Sequence, residues 1–246
     1  MKKFIQDYTI GSYHTNQYAK ASVTSLFNMM LEAAWKHAQV MDWGYDNLKL
    51  NNMFWVLSRV YFEFERYPDW QEEITLNTWS AGTDGMYAYR EFIIERAQKE
   101  VLLKASSAWL ILDVETKRIV RLREFMDTFP RLNESQPCRN PKRIKPPKAS
   151  EGLSYRPVLF SDLDVNKHFN SVKYLERILD CLGIDFLNQY ELASLEINYL
   201  KEGMAGDQLG VDTQKLDDLH YKSTIFRESD GLPLCCMDTH WRARKA

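Results

Sequence analysis

The chain has 246 residues, with 32 Lys and Arg against 34 Asp and Glu, 45% hydrophobic and 13% aromatic residues. A net charge of -2 gives no overall attraction to nucleic acid or to an anionic membrane, and the apolar content suffices for one large core or two ordinary ones. Met1-Lys-Lys-Phe-Ile-Gln-Asp7 lacks the apolar centre of a signal peptide, and no apolar run approaches about 18 residues, so a soluble cytoplasmic protein without membrane insertion is expected.

From the start, Phe4 to Ile10 reads as a strand. A helix follows, because Val23, Leu26, Phe27, Met30, Leu31, Ala34, Trp35 and Ala38 form one stripe, with Thr24 or Ser25 near its beginning; the stripe is expected to be well buried. Runs rich in β-branched and aromatic residues then read as strands at Met53 to Phe64, Ile74 to Ser80, Tyr87 to Arg96 and Val101 to Asp113. Turn residues separate them at Tyr67-Pro-Asp69, Ala81 to Gly85 and Gln98 to Glu100. One helix followed by an antiparallel meander is an α+β pattern in which the helix packs on the sheet.

Composition changes at residues 131–150, which hold four of the eight prolines and six basic residues against one acidic. This stretch reads as a basic, Pro-rich linker between an N-terminal domain at 1–130 and a C-terminal domain at 151–246. Lys142, Arg143, Lys145 and Lys148 could serve an acidic partner, or simply be solvated. Beyond it the first pattern begins again, with strands at Tyr155 to Phe160, Leu192 to Leu200, Gln208 to Thr213, Tyr221 to Arg227 and Leu234 to Arg242. Phe64 to Leu76 aligns with Tyr199 to Val211, and Tyr89 to Arg96 resembles Tyr221 to Glu228, which implies an internal duplication.

The second copy contains Asp162-Leu-Asp-Val-Asn-Lys-His-Phe-Asn-Ser-Val-Lys-Tyr174. Asp164, Asn166 and His168 alternate, which on an extended backbone places them on one side. Phe169, Val172, Leu175, Ile178, Leu179 and Leu182 then recur at helical spacing, with Gly183 as a stop. The trio therefore stands at a helix entrance, where unpaired N–H groups can hold a developing oxyanion. A simpler reading, in which Asp164 or Asn170 only caps the helix, needs one such residue rather than three. The corresponding stretch of the first copy, Gln17 to Ser22, has no such trio, so one reaction centre is expected, in the second copy.

Other chemistries lack a motif. Cys138, Cys181, Cys235 and Cys236 have no metal-ligand spacing and read as reduced thiols. His14, His37, His220 and His240 show no paired-ligand spacing, so no metal is expected. Phosphate-binding loops and the G-x-S-x-G elbow are missing, so no cofactor is expected either.

Two segments, Leu163 to Tyr174 and Leu195-Glu-Ile-Asn-Tyr-Leu-Lys-Glu202, resemble the signature and the following strand of the acyl-acyl carrier protein thioesterases of plant plastids and bacteria. The resemblance extends, through the duplicated layout, over nearly the whole chain. It implies a double hot-dog fold of two antiparallel sheets, each wrapped around a central helix. It further implies hydrolysis of the thioester between a fatty acyl chain and acyl carrier protein; the asymmetry of the two copies leaves the first domain free to shape the substrate pocket. Asp164, Asn166, His168 and Glu202 would inherit the catalytic roles. In the plant enzymes a cysteine follows the acidic residue; here Gly203 stands there, which excludes a cysteine nucleophile at that place.

Thioester hydrolysis needs an activated water and an oxyanion hole, since a thiol of pKa about 8.5 leaves readily. Glu202 or His168 would be the base, Asn166 and nearby backbone N–H groups would polarise the carbonyl, and Asp164 would orient His168 or Asn166. Met29, Met30, Trp35, Phe54 and Trp55 offer apolar material for an acyl slot or simply for a core. The rivals are an acyl-coenzyme A thioesterase or hydratase of the same fold, and a non-catalytic acyl-binding regulatory module. Acyl-chain preference and a further homodimer stay open.

Overall fold

The computed structural model describes residues 2–244. The chain divides into two compact units, Met1–Pro141 and Lys142–Ala246. In the first unit the order is β1 (Phe4–Thr9), α1 (Val23–Val40), α2 (Tyr45–Leu50), β2 (Met53–Phe64), β3 (Glu73–Thr83), β4 (Ala88–Arg96), β5 (Glu100–Asp113) and β6 (Ile119–Val120). Its strands lie in the order β1-β3-β4-β5-β2, all antiparallel, with β6 beside β5. Ser22 starts α1 by accepting a 3.1 Å hydrogen bond from Ser25 N.

The strand register separates two faces of this sheet. Thr78, Phe92, Ala105 and Phe62 stand opposite one another on the side of α1, where Phe27 meets Phe62 edge-on at 5.1 Å. Arg90 shares that side, buried, and lies 2.9 Å from His37 Nδ1 of α1. Burial followed by the Arg90 charge lowers the His37 pKa to about 4. Trp79, Glu91, Ser106 and Tyr61 form a row on the other side.

The second unit repeats this plan with β7 (Tyr155–Pro157), α3 (Ser171–Cys181), α4 (Ile184–Gln189), β8 (Tyr190–Tyr199), β9 (Gln208–Asp217), β10 (His220–Arg227) and β11 (Pro233–Ala243). Its order, β7-β9-β10-β11-β8, is that of the first unit, strand for strand. The long helix α3 lies against β9 and β10. Gln214, Lys222, Asp238 and Glu196 make one cross-strand row on the opposite face, and Asp212, Thr224, Cys236 and Asn198 make the next.

Residues 131–150 form neither helix nor strand beyond an isolated bridge at Arg131, but their backbone is tied down at several points. In the first unit Leu132 N bonds Ser80 O at 2.9 Å and the Arg139 guanidinium stacks on Tyr61 at 3.6 Å. In the second, Lys142 N donates to Glu196, Ile144 N to Asn198 Oδ1 at 2.8 Å, and Ser150 N to Asp212 Oδ2 at 2.9 Å. Polar residues on sheet interiors that look idle in sequence therefore serve as acceptors for this strap. Lys142, Arg143, Lys145 and Lys148 remain exposed.

Three expectations change, and two short helices were not foreseen. Trp35 is 52% exposed, because it follows Leu26 by nine residues, which is half a turn out of phase; the buried face runs instead through Leu26, Met30, Ala33 and His37. The strand expected up to Phe160 stops at Pro157, and Phe160, 93% exposed, begins a short 3-10 turn. The helices α2 and α4, six residues each, are too short to show a period. Finally, the register pairs Val211 with Ile225 as it pairs Leu76 with Ile94, so the alignment of Tyr89 with Tyr221 is one residue out and His220 is the counterpart of Tyr89. In a strand a slip of one residue exchanges the two faces.

Candidate active site

The stretch from Asp164 to His168 is a closed turn, not the extended segment that alternation suggests. Asp164 N donates to His168 O at 2.8 Å, Lys167 N to Asp164 O at 2.9 Å, and Leu163 bridges Phe169. Lys167 takes a left-handed φ of 64° to close it. The Asp164 carboxylate fastens the loop from inside, accepting from Asn166 N at 2.8 Å and His168 N at 3.1 Å. Its bonds are to the main chain and not to the imidazole, so its orienting action on His168 runs through the backbone. Asn166 is exposed on the turn.

Asn170, not Asp164, caps α3, its side-chain oxygen accepting from Val172 N at 2.8 Å. Arg177 braces the approach to the turn: it donates to Arg156 O and Pro157 O at 3.1 Å, pairs with Asp162 at 3.2 Å, and lies 4.8 Å over the Phe169 ring.

Glu202 arrives from the loop after β8. Phe169 N donates to Gly203 O at 2.7 Å and His168 bridges Met204, so the loop runs beside the turn. His168 Nε2 consequently lies 3.5 Å from Glu202 Oε2, with side chains 25% and 46% exposed. Two residues distant in sequence are thus joined at a solvent-reachable edge. Asp164 and Asn166 belong to the same turn.

Tyr174 is the residue that the candidate list missed. Its hydroxyl accepts from Gly203 N at 2.9 Å and donates to Lys201 O at 3.3 Å, holding the main chain on both sides of Glu202. Burial raises its pKa well above the usual range, which keeps the hydroxyl protonated for the Lys201 bond. The sequence signal was present, since Tyr174 closes the quoted signature. Gly203 has little alternative: a Cβ there would meet Phe169 Cβ at 3.0 Å and Tyr174 Oη at 3.2 Å.

The first unit builds the same turn with other side chains. Asn16 N donates to Lys20 O at 2.8 Å, Ala19 N to Asn16 O at 3.1 Å, and Thr15 bridges Ala21. Asn16 Oδ1 accepts from Tyr18 N at 3.0 Å and Lys20 N at 3.4 Å, and Ala19 has a left-handed φ of 53°. Lys20 occupies the place of His168 and bonds Asp69, while Ala21 N donates to Pro68 O at 2.8 Å.

Of the apolar candidates in this unit, Met29 and Met30 are core residues, Trp35 is exposed, and Phe54 and Trp55 are half-buried. Trp55 donates to Trp43 O at 2.8 Å and joins Trp43 and Phe129 in an aromatic cluster above Leu48 and Ile111.

Comparison with known proteins matches residues 1–129 to the acyl-ACP thioesterase N-terminal domain and residues 144–243 to the acyl-ACP thioesterase C-terminal domain. A chloroplastic palmitoyl-acyl carrier protein thioesterase of Gossypium hirsutum is 27% identical over 99% of this chain and 64% of its own length. A chloroplastic oleoyl-acyl carrier protein thioesterase of Coriandrum sativum is 27% identical over 80% of the chain and 58% of its own length. The chain thus spans about half to two thirds of the curated relatives it matches.

Among solved structures, an acyl-ACP thioesterase from Bacteroides thetaiotaomicron superposes with a TM-score of 0.89 at 23% identity, covering 98% of both chains. The 12:0-ACP thioesterase from Umbellularia californica gives 0.86 at 20% identity, again over 98% of both. These likenesses bear out the α+β double hot-dog fold. With both family domains matched in order along its length, the chain belongs to the acyl-ACP thioesterase family.

Proposed function

We propose that the protein hydrolyses the thioester of fatty acyl-acyl carrier protein, releasing a free fatty acid and ending chain elongation. The observation that carries this reading is the 3.5 Å pairing of His168 with Glu202, in a chain of this family. Either group takes the proton from the attacking water while the other holds its partner's orientation. Asn166 and the backbone N–H groups near the entrance of α3 stabilise the oxyanion, and the thiol departs without a strong acid. Asp164 acts by fastening the turn that presents Asn166 and His168.

The reading assigns acyl-chain binding to the first unit and cleavage to the second, with no metal or other cofactor in the reaction. Exposed Lys142, Arg143, Lys145 and Lys148 support an acidic carrier protein as the partner. A cytoplasmic location completes the proposal and is tested by cell fractionation; whether two chains pair is read by sedimentation.

The test is a panel of acyl chains of graded length, each offered on carrier protein and on coenzyme A. Faster hydrolysis of the carrier-protein esters, lost in His168→Ala and Glu202→Ala, is the expected result. Equal or faster turnover of the coenzyme A esters would replace the carrier by coenzyme A. Binding of acyl carrier protein without cleavage would reduce the protein to an acyl-binding module.

A further inference from the structure

His220 and His240 are far apart in sequence, but the pairing of β10 with β11 sets them directly opposite each other. Their rings stack with centroids 4.0 Å apart. Asp238, two residues before His240 and therefore on the same face, turns its carboxylate toward both. Oδ1 lies 2.7 Å from His220 Nε2 and 3.6 Å from His240 Nε2. One ligand atom from each of the three residues falls within 4.8 Å of the others.

The geometry points to a binding site for a borderline transition-metal dication, of which Zn2+ is the type, held by His220, Asp238 and His240. Bonds of about 2.0–2.1 Å in tetrahedral coordination place ligand atoms roughly 3.3 Å apart. The two carboxylate–imidazole separations bracket that value. The remaining edge closes by rotation of His240, which is free to turn because its side chain is 53% exposed. Two imidazoles and one carboxylate favour Zn2+, Co2+, Ni2+ or Cu2+ over Mg2+ or Ca2+, which take oxygen ligands.

Charged neighbours of both signs flank the cluster. Asp217 Oδ2 stands 4.0 Å from His220 Nδ1, the ring nitrogen that a metal on Nε2 leaves over; this is beyond hydrogen-bond distance and adds negative charge beside the cluster. Lys222 lies 3.7 Å from the other oxygen of Asp238, Oδ2, so its ammonium opposes the ion's charge while Oδ1 stays turned to the two imidazoles. The first unit has no such set: Tyr89, Ser106 and Ala108 occupy the places of His220, Asp238 and His240. Spacing along the chain could not reveal the cluster, because only strand register assembles it.

This site is separate from the His168–Glu202 pair. The loop bearing Glu202 adjoins Leu234, whose carbonyl accepts from Leu200 N at 2.8 Å. His240 lies six residues farther along β11, about 20 Å away at roughly 3.3 Å per residue. An ion here would fasten β10 to β11 and would stabilise the folded state by mass action.

The test uses the full chain without a histidine tag, stripped with EDTA, dialysed, and titrated with Zn2+ by calorimetry and with Co2+ by visible absorption. The expected result is one ion per chain, d–d bands of a four- or five-coordinate site, and a melting temperature that rises with Zn2+. Asp238→Asn and His240→Ala should each weaken Zn2+ binding by about tenfold or more. His240→Ala should keep the ion-free melting temperature and the thioesterase turnover, and lose the Zn2+-dependent rise. Absence of stoichiometric uptake, or uptake that both variants leave unchanged, overturns the proposal. So does uptake abolished by His168→Ala, which would put the ion at the other pair.

Discussion

The turns Asn16–Lys20 and Asp164–His168 have nearly the same main-chain hydrogen bonds and very different side chains. Each is fastened by its first side chain, amide in one and carboxylate in the other, and each leads into a capped helix, by Ser22 or Asn170. Where the second unit sets His168 against Glu202, the first pairs Lys20 with Asp69 and has Tyr67 in place of the glutamate. The support differs in step: Tyr174 bonds the Gly203 N–H, whereas its counterpart Leu26 has no hydroxyl and Pro68 has no N–H. Backbone architecture outlasts chemistry here because the turn needs only one acceptor and one left-handed residue, leaving the other positions free.

The largest effect expected from this comparison is on turnover. His168→Ala and Glu202→Gln should each lower kcat by about 10²–10⁴-fold, the usual contribution of a positioned acid or base. Steady-state kinetics in which neither variant loses activity would erase the distinction between the two turns.

Support for Glu202 comes next. Tyr174→Phe strands the buried Gly203 N–H at a cost of about 1–3 kcal/mol, and Gly203→Ala forces a Cβ against Phe169 at a similar cost. Denaturant melts measure both. If Tyr174 positions Glu202, Tyr174→Phe also lowers kcat per folded molecule, measured at a temperature where the melts show the variant fully folded; a loss of turnover that only tracks the unfolded fraction would make the hydroxyl purely structural.

A third comparison concerns pH, since Glu91 is buried on the outer face of the first unit and Lys222 takes its place in the second. Ser106 donates to Glu91 Oε1 at 3.0 Å, but burial dominates and raises the pKa from 4.5 to about 8. For an acid with a raised pKa the folded state keeps the proton longer than the unfolded chain. Its contribution to stability is therefore full below pH 4.5 and is lost as pH rises through about 8. Glu91→Gln should remove a slope of up to about 1.4 kcal/mol per pH unit across that window. Unchanged slopes in urea melts would show that Glu91 does not govern it.

The smallest effects sharpen the comparison most. Asp164→Asn imports the residue type that fastens the first turn, so its turnover should stay within a few-fold of wild type while Asp164→Ala falls further. An Asn variant as slow as the Ala variant would give the Asp164 charge a direct part in the chemistry. Lys20→Ala removes only an exposed ion pair worth about 0–1 kcal/mol and should leave kcat unchanged.

Much of this was legible in the amino-acid order. The long helices and most strands follow from apolar period, and β2 ends where its pattern ends, at Met53 and Phe64. The duplication was legible through Phe64 to Leu76 and Tyr199 to Val211, because these segments share a common offset. Asp164, Asn166 and His168 could be named because a compact polar stretch next to an amphipathic helix departs from what packing alone asks, whereas Glu202, an isolated carboxylate at a strand end, could be named only through the family resemblance of Leu195 to Glu202. The one-residue error at Tyr221 arose because similar residue types fit both registers, and hydrogen bonding between strands had to choose.

The sequence by itself determined which segments become helices and strands, since period and propensity act over a few neighbouring residues. Only the tertiary structure decided that Asp164 grips backbone, that Tyr174 holds the loop of Glu202, that the Pro-rich stretch is strapped to carboxylates, and that His220 meets Asp238 and His240. Those partners lie in different elements or emerge from a turn, and their distances are set by strand register and chain closure, to which no local pattern of residues responds.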